Sequence, residues 1–136
     1  MYLGAAGLDR GDVRCVAAID TEALDIPTAL AQASDDMRAT YENAFGTEPA
    51  VWTEASPITH VNSGAPIPPF FLVKRGSAKR QALVDAFRER LHGAHIPETT
   101  VDASGMTHSE VNDVIGTSSD HLITPALTGF FGGCLK

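Results

Sequence analysis

The chain has 136 residues, 43% of them hydrophobic and 20% charged, a composition far from that of a disordered segment and sufficient for one folded core. Its formal charge of −7 excludes a surface built to neutralise nucleic-acid phosphates, and no apolar run approaches the ~20 residues that a membrane span requires. Two cysteines, Cys15 and Cys134, are too few and too far apart in sequence to suggest a disulfide framework or a zinc site, and no cofactor or metal is expected. Met1-Tyr2-Leu3-Gly4 is not the charged start of a secretory leader, so a cytoplasmic location is expected.

The first predicted element is the mostly apolar run from Val13 to Ile19, the pattern of a strand buried on both faces of a parallel sheet; it stops at Asp20. Between Pro27 and Ala55 only helices are expected. There Ser34 is a candidate N-cap, Met37, Tyr41 and Phe45 recur at four-residue spacing, and Gly46 is the stop. Thr47-Glu48-Pro49 starts a short turn carrying Trp52. Ser56 to Pro69 holds four of the eight prolines and reads as an ordered connection without regular structure.

Phe70-Phe71-Leu72-Val73 is the second strand. Ser77 then caps a helix whose inward stripe is Leu83, Phe87 and Leu91, with Ala82 and Ala86 beside it, and whose end is marked by Gly93. Six of the ten basic residues fall between Lys74 and Arg90, interleaved with Asp85 and Glu89, the pattern of a solvated helix face. Glu98 to Val101 forms a third strand and empties into the Gly105-Met106-Thr107-His108 loop. A last helix carries Leu127, Phe130 and Phe131, with Thr124 as its N-cap and Pro125 at its first position. Strands alternating with helices imply a parallel sheet joined by right-handed crossovers, and a histidine after a strand lies where such sheets do their chemistry.

The other histidines read as structural. His92 and His95 are three apart, but Gly93 separates them, and His92 suits the negative end of a helix dipole better than a metal. His60 is placed for a local hydrogen bond and His121 faces solvent near a helix start, while Asp102 and Glu110 read as turn and helix-start residues.

Taken in order, Glu54-Ala55-Ser56-Pro57-Ile58-Thr59-His60, Pro68-Pro69-Phe70-Phe71-Leu72-Val73, the helix, Val101 and Gly105-Met106-Thr107-His108 resemble the C-terminal half of α/β-hydrolase esterases of the carboxylesterase and lipase type. The resemblance covers roughly residues 10 to 131. It implies an incomplete α/β-hydrolase fold of about three parallel strands with flanking helices, as a single domain over residues 1–136. It also implies hydrolysis of carboxylic esters, a small-molecule ester substrate, and His108 in the position of the family's general base.

That chemistry needs a serine hydroxyl whose proton an imidazole accepts, and a carboxylate on the other ring nitrogen to fix the tautomer. The chain has no Gly-x-Ser-x-Gly elbow. Gly116-Thr117-Ser118-Ser119-Asp120 comes nearest, but it lacks the final glycine and follows the histidine. In the family's order of serine, acid, histidine, the elbow and the oxyanion loop precede Val13, so an N-terminally truncated esterase homologue, inactive as the isolated chain, is expected. The loop that carries the acid in similar esterases is here Lys74-Arg75-Gly76-Ser77, without a carboxylate before Asp85. Asp20, at the end of the preceding strand, is the substitute and Asp25 the reserve, although both residue types are also ordinary turn chemistry. The alternative is a non-catalytic binding or assembly module, in which an open sheet edge and the Trp52 and Phe70 region pack on a partner. Self-association through the edge of the Val13 to Ile19 strand is the homo-oligomer implied by a missing neighbour.

Overall fold

Val16–Ile19 (β1), Phe70–Lys74 (β2) and Glu98–Asp102 (β3) form a parallel sheet in the order β1-β2-β3, in a computed structural model that describes residues 13–62, 64 and 66–134. Met1 to Asp12, including the start examined for a leader, lies outside the described residues. The central strand explains the layering. Along β2, Phe70 and Leu72 face one way and Phe71 and Val73 the other, and both sets are apolar because helices cover both faces.

Between β1 and β2 the chain forms α1 (Ile26–Gln32), α2 (Asp35–Phe45), α3 (Pro49–Ala55) and a 3-10 turn over Pro57–His60; between β2 and β3 it forms α4 (Ala78–Gly93). A sheet that grows in one direction by right-handed crossovers must keep those crossovers on one face. Accordingly Leu24 and Val61 from the first crossover share a core with Leu72 and with Val84, Phe87 and Leu91 of α4. The opposite face is covered by α5 (His108–Val114) and α6 (Ile123–Cys134), whose Val111 and Ile123 pack with Phe71, Val73 and Val101. The α/β class with three parallel strands and flanking helices is therefore observed. Among the described residues no helix is long and apolar enough to cross a membrane.

Local signals explain most boundaries. Ser34 and Ser77 cap α2 and α4, accepting from the backbone N–H of Met37 and Arg80, and Gly46 ends α2 with φ of 75°. Leu83, Phe87 and Leu91 are buried as their spacing requires, with Val84 added to the stripe. In α2, by contrast, only Tyr41 of the predicted triplet is buried, and Met37 is exposed.

Several elements differ from expectation. The β1 ladder starts at Val16, whose N–H bonds Pro69 O at 3.0 Å, three residues later than the apolar run suggests. Trp52 lies in α3, a helix and not a turn, and donates its indole N–H to Gly46 O at 2.7 Å. The connection thought irregular holds the 3-10 turn. Its Ser56 is buried, accepting from Ile26 N and donating to Trp52 O, and so ties the start of α1 to the end of α3. α4 ends at Gly93, as expected, but Gly93 is itself the last helical residue, and His95, at φ of 59°, takes the left-handed position beyond it.

The His108 loop is shorter than expected because His108 is already the first residue of α5. Thr107 and Glu110 form a reciprocal capping box there, so Glu110 is the helix-start residue that it reads as, in a helix that begins at His108 itself. Thr124 is not the N-cap of α6. The helix starts at Ile123, and the Asp120 carboxylate collects the N–H groups of Leu122, Ile123 and Thr124 at 2.9, 2.9 and 2.7 Å. Pro125 is tolerated in the first turn because its missing N–H would have had no intrahelical acceptor.

Candidate active site

The β1/β2 and β2/β3 registers align Ile19, Val73 and Val101 across the sheet, so the residues that follow them emerge side by side at its carboxyl edge. Asp20 is the first residue after β1. Its φ of 54° is a left-handed conformation that Asp adopts more readily than most residues, and its side chain is only 2% exposed.

Its two oxygens are divided between cations and a histidine. Oδ1 accepts from Arg80 Nη2 at 2.9 Å and contacts Arg75 Nε, while Oδ2 contacts His108 Nδ1 across 88 positions of sequence. Arg75 follows β2 directly and Arg80 lies in the first turn of α4; Arg80 Nε also meets Glu22 Oε1 at 2.6 Å. Gly76 makes this turn feasible: its φ is 81°, and a Cβ there would come within 2.9 Å of Arg80 Cδ. The Arg75 contact is Coulombic, because the buried Nε–H does not aim at the Asp20 oxygen and has no hydrogen-bond acceptor.

Burial pushes the Asp20 carboxyl up, but the Arg75 and His108 contacts, with the charges of Arg75 and Arg80, outweigh it and hold the group below its ordinary value. Asp20 is therefore a fixed anion at neutral pH. With its charge already balanced by two guanidinium groups, what it supplies to His108 is chiefly orientation: an acceptor for Nδ1–H, which leaves the Nε2 lone pair outward.

His108 is held from its own side by the cap of α5 and by Asn112, whose amide donates to His108 O at 2.9 Å and lies 3.4 Å from both ring nitrogens. Its side chain is 70% exposed. Beside it opens a depression of about 520 Å³, with Thr21, Glu22, Arg75 and Arg80 on its polar side and Met37, Tyr41, Ala44 and Phe45 of α2 on its apolar side. Among the described residues no hydroxyl or thiol hydrogen-bonds the His108 ring, and no three His, Cys, Asp or Glu side chains gather as a metal site.

The structure thus brings the two predicted residues, Asp20 and His108, together. Asp25 is elsewhere, capping α1 through Thr28 N at 3.1 Å. Arg75 and Arg80 were expected on a solvated face, and this is corrected by their inward turn onto Asp20; Lys74 and Arg88 pair with Asp85, and Arg88 also with Glu98. The overlooked signal is an Asp directly after one predicted strand and an Arg two residues past the end of the next, in a sheet expected to be parallel. His60 and His92 have local partners, Glu54 O at 2.6 Å and Glu98 Oε1 at 3.0 Å. Trp52 and Phe70 pack internally, Phe70 edge-on to Phe87 with centroids 5.2 Å apart. Comparison of the chain with models of protein families and with curated proteins found no match.

Proposed function

We propose that this chain carries the acid–base half of a hydrolytic site for carboxylic esters, related to that of the α/β-hydrolase esterases, with Asp20 as the orienting carboxylate and His108 as the general base. The observation that supports this reading is the buried, ionised Asp20 on His108 Nδ1, at the carboxyl edge of a parallel sheet, with the ring directed to an open depression. Held in this way, Nε2 can take a proton from a nucleophile and return it to a leaving alcohol. The apolar side of the depression, Met37, Tyr41 and Phe45, suits an aliphatic or aromatic part of the ester, and the Arg80 side suits its polar part.

The nucleophile that completes such a site is a serine, which the order of the resembled family puts before β1. Without it and its oxyanion donors the site lacks the groups that supply most of the rate. The 136-residue chain should accordingly show no saturable turnover of p-nitrophenyl acetate above a His108→Ala control.

Competence of the base is tested separately with diethyl pyrocarbonate, which acylates unprotonated imidazole nitrogens. His108 should react ahead of the other four histidines, and Asp20→Asn should remove that lead. Equal reactivity of all five histidines would overturn the base assignment. Saturable hydrolysis through an acyl-serine would instead overturn the assignment of a nucleophile outside this site.

A further inference from the structure

A second chemical site lies at the opposite, amino-terminal edge of the sheet, between the two cysteines. Pairing of Val16 with Phe70 sets Cys15 level with Pro69, and the two-residue alternation of an extended chain turns it to the same face as Ala17 and Ile19, which pack against the core shared with α6. On α6, Ala126, Leu127 and Phe130 face that same core, and Cys134 lies one turn beyond Phe130 on the same stripe. Pro69, Phe130 and Cys134 line one crevice of about 240 Å³, which brings the end of α6 to the start of β1. Both thiols are half-buried, and Cys134 lies close enough to act on the Cys15 thiol.

We propose that Cys15 and Cys134 are a disulfide-forming pair, closed by low-molecular-weight disulfides of the glutathione class, which ties the first strand to the last helix. Burial, with the adjoining Cys134 thiol, pushes the Cys15 thiol up to about 11, so Cys15 is the poorer first nucleophile. The Cys134 thiolate attacks one sulfur of the small disulfide, forming a mixed disulfide and expelling one thiolate. The Cys15 thiolate then attacks the Cys134 sulfur, forming the internal bond and expelling the second small thiolate. Two protein thiols are oxidised, one small disulfide is reduced to two thiols, and the two cysteine protons pass to the leaving thiolates. The Gly132-Gly133 pair before Cys134 presents no Cβ to its surroundings, so the last turn of α6 can move the sulfur into bonding geometry.

The test incubates the full chain with oxidised glutathione at pH 8 and follows intact mass, free thiols and thermal unfolding. The expected product is a monomer lighter by two hydrogens, with no free thiol, and with a Tm raised by about ten degrees because the closed loop spans most of the chain. A reductant should restore the starting Tm. In Cys134→Ser, which alters only the last helical turn, closure should be absent. Glutathione adducts that persist on the unmutated chain, disulfide-linked dimers, or a closed form with an unchanged or lower Tm would overturn the proposal.

Discussion

At the level of single residues, Asp20 and Asp120 are carboxylates whose proton affinity is raised by burial and lowered by more than that by their hydrogen-bonding and charged partners. Asp20 is coupled to Arg75 and Arg80, and removing one member of a buried ion network leaves the others uncompensated. Asp20→Ala should therefore cost about 3 kcal/mol or more in urea unfolding. The double change Asp20→Ala with Arg75→Met should recover a large part of that loss; additive losses would show that the two do not act as a pair.

Asp120 makes a different prediction. Burial raises its carboxyl, but bonds from Thr124, Leu122 and Ile123 outweigh it and lower the group to about 2. A folded pKa below the unfolded value of 3.8 means that the unfolded chain binds the extra proton, so stability is complete above that value and falls as pH drops towards 2. About 2 kcal/mol should be lost across that window, and Asp120→Asn should flatten this part of the acid-unfolding profile. Asp20, also lowered, adds a loss of the same sign. Asp20 and His108 were legible in sequence because each lies close after a β-prone run. Arg75 and Arg80 were not, since a mixed-charge helix start reads the same whether its cations face water or a carboxylate in another segment.

At the level of elements, the position of His108 depends on the first turn of α5. Thr107 accepts from Glu110 N at 3.2 Å and Glu110 accepts from Thr107 N at 2.7 Å, and these two bonds fix the turn from which the imidazole reaches Asp20. Thr107→Ala should reduce stability by about 1 kcal/mol and lower the preference of diethyl pyrocarbonate for His108. An unchanged preference would mean that Asp20 alone holds the ring. Elements with a serine cap and a long apolar stripe, such as α4, can be read from the sequence because local and tertiary requirements agree. The seven residues of α5 contain too little stripe for that, and the start of α6 is hidden because its cap, Asp120, lies three residues before the first helical residue.

At the level of the whole molecule, the alternation of strands and helices was enough to anticipate the parallel sheet, whereas the meeting of Cys15 with Cys134 depends on register and helix direction, which spacing in sequence does not encode. Among the described residues β1 pairs on one side only, with β2. Such an edge templates association. Sedimentation at micromolar concentration should show self-association that Val16→Lys weakens, and a monomer indifferent to that change would mean that the edge is already covered.

The central claim is that Asp20 holds the His108 ring by Nδ1–H and leaves Nε2 as the base. Long-range ¹H–¹⁵N correlation on the labelled chain, at a pH where the ring is neutral, reads this directly. The account predicts a protonated Nδ1 and an unprotonated Nε2 for His108, reverting in Asp20→Asn to the Nε2–H tautomer that free histidine prefers. An Nε2–H tautomer in the unmutated chain, or one unaffected by Asp20→Asn, would contradict it.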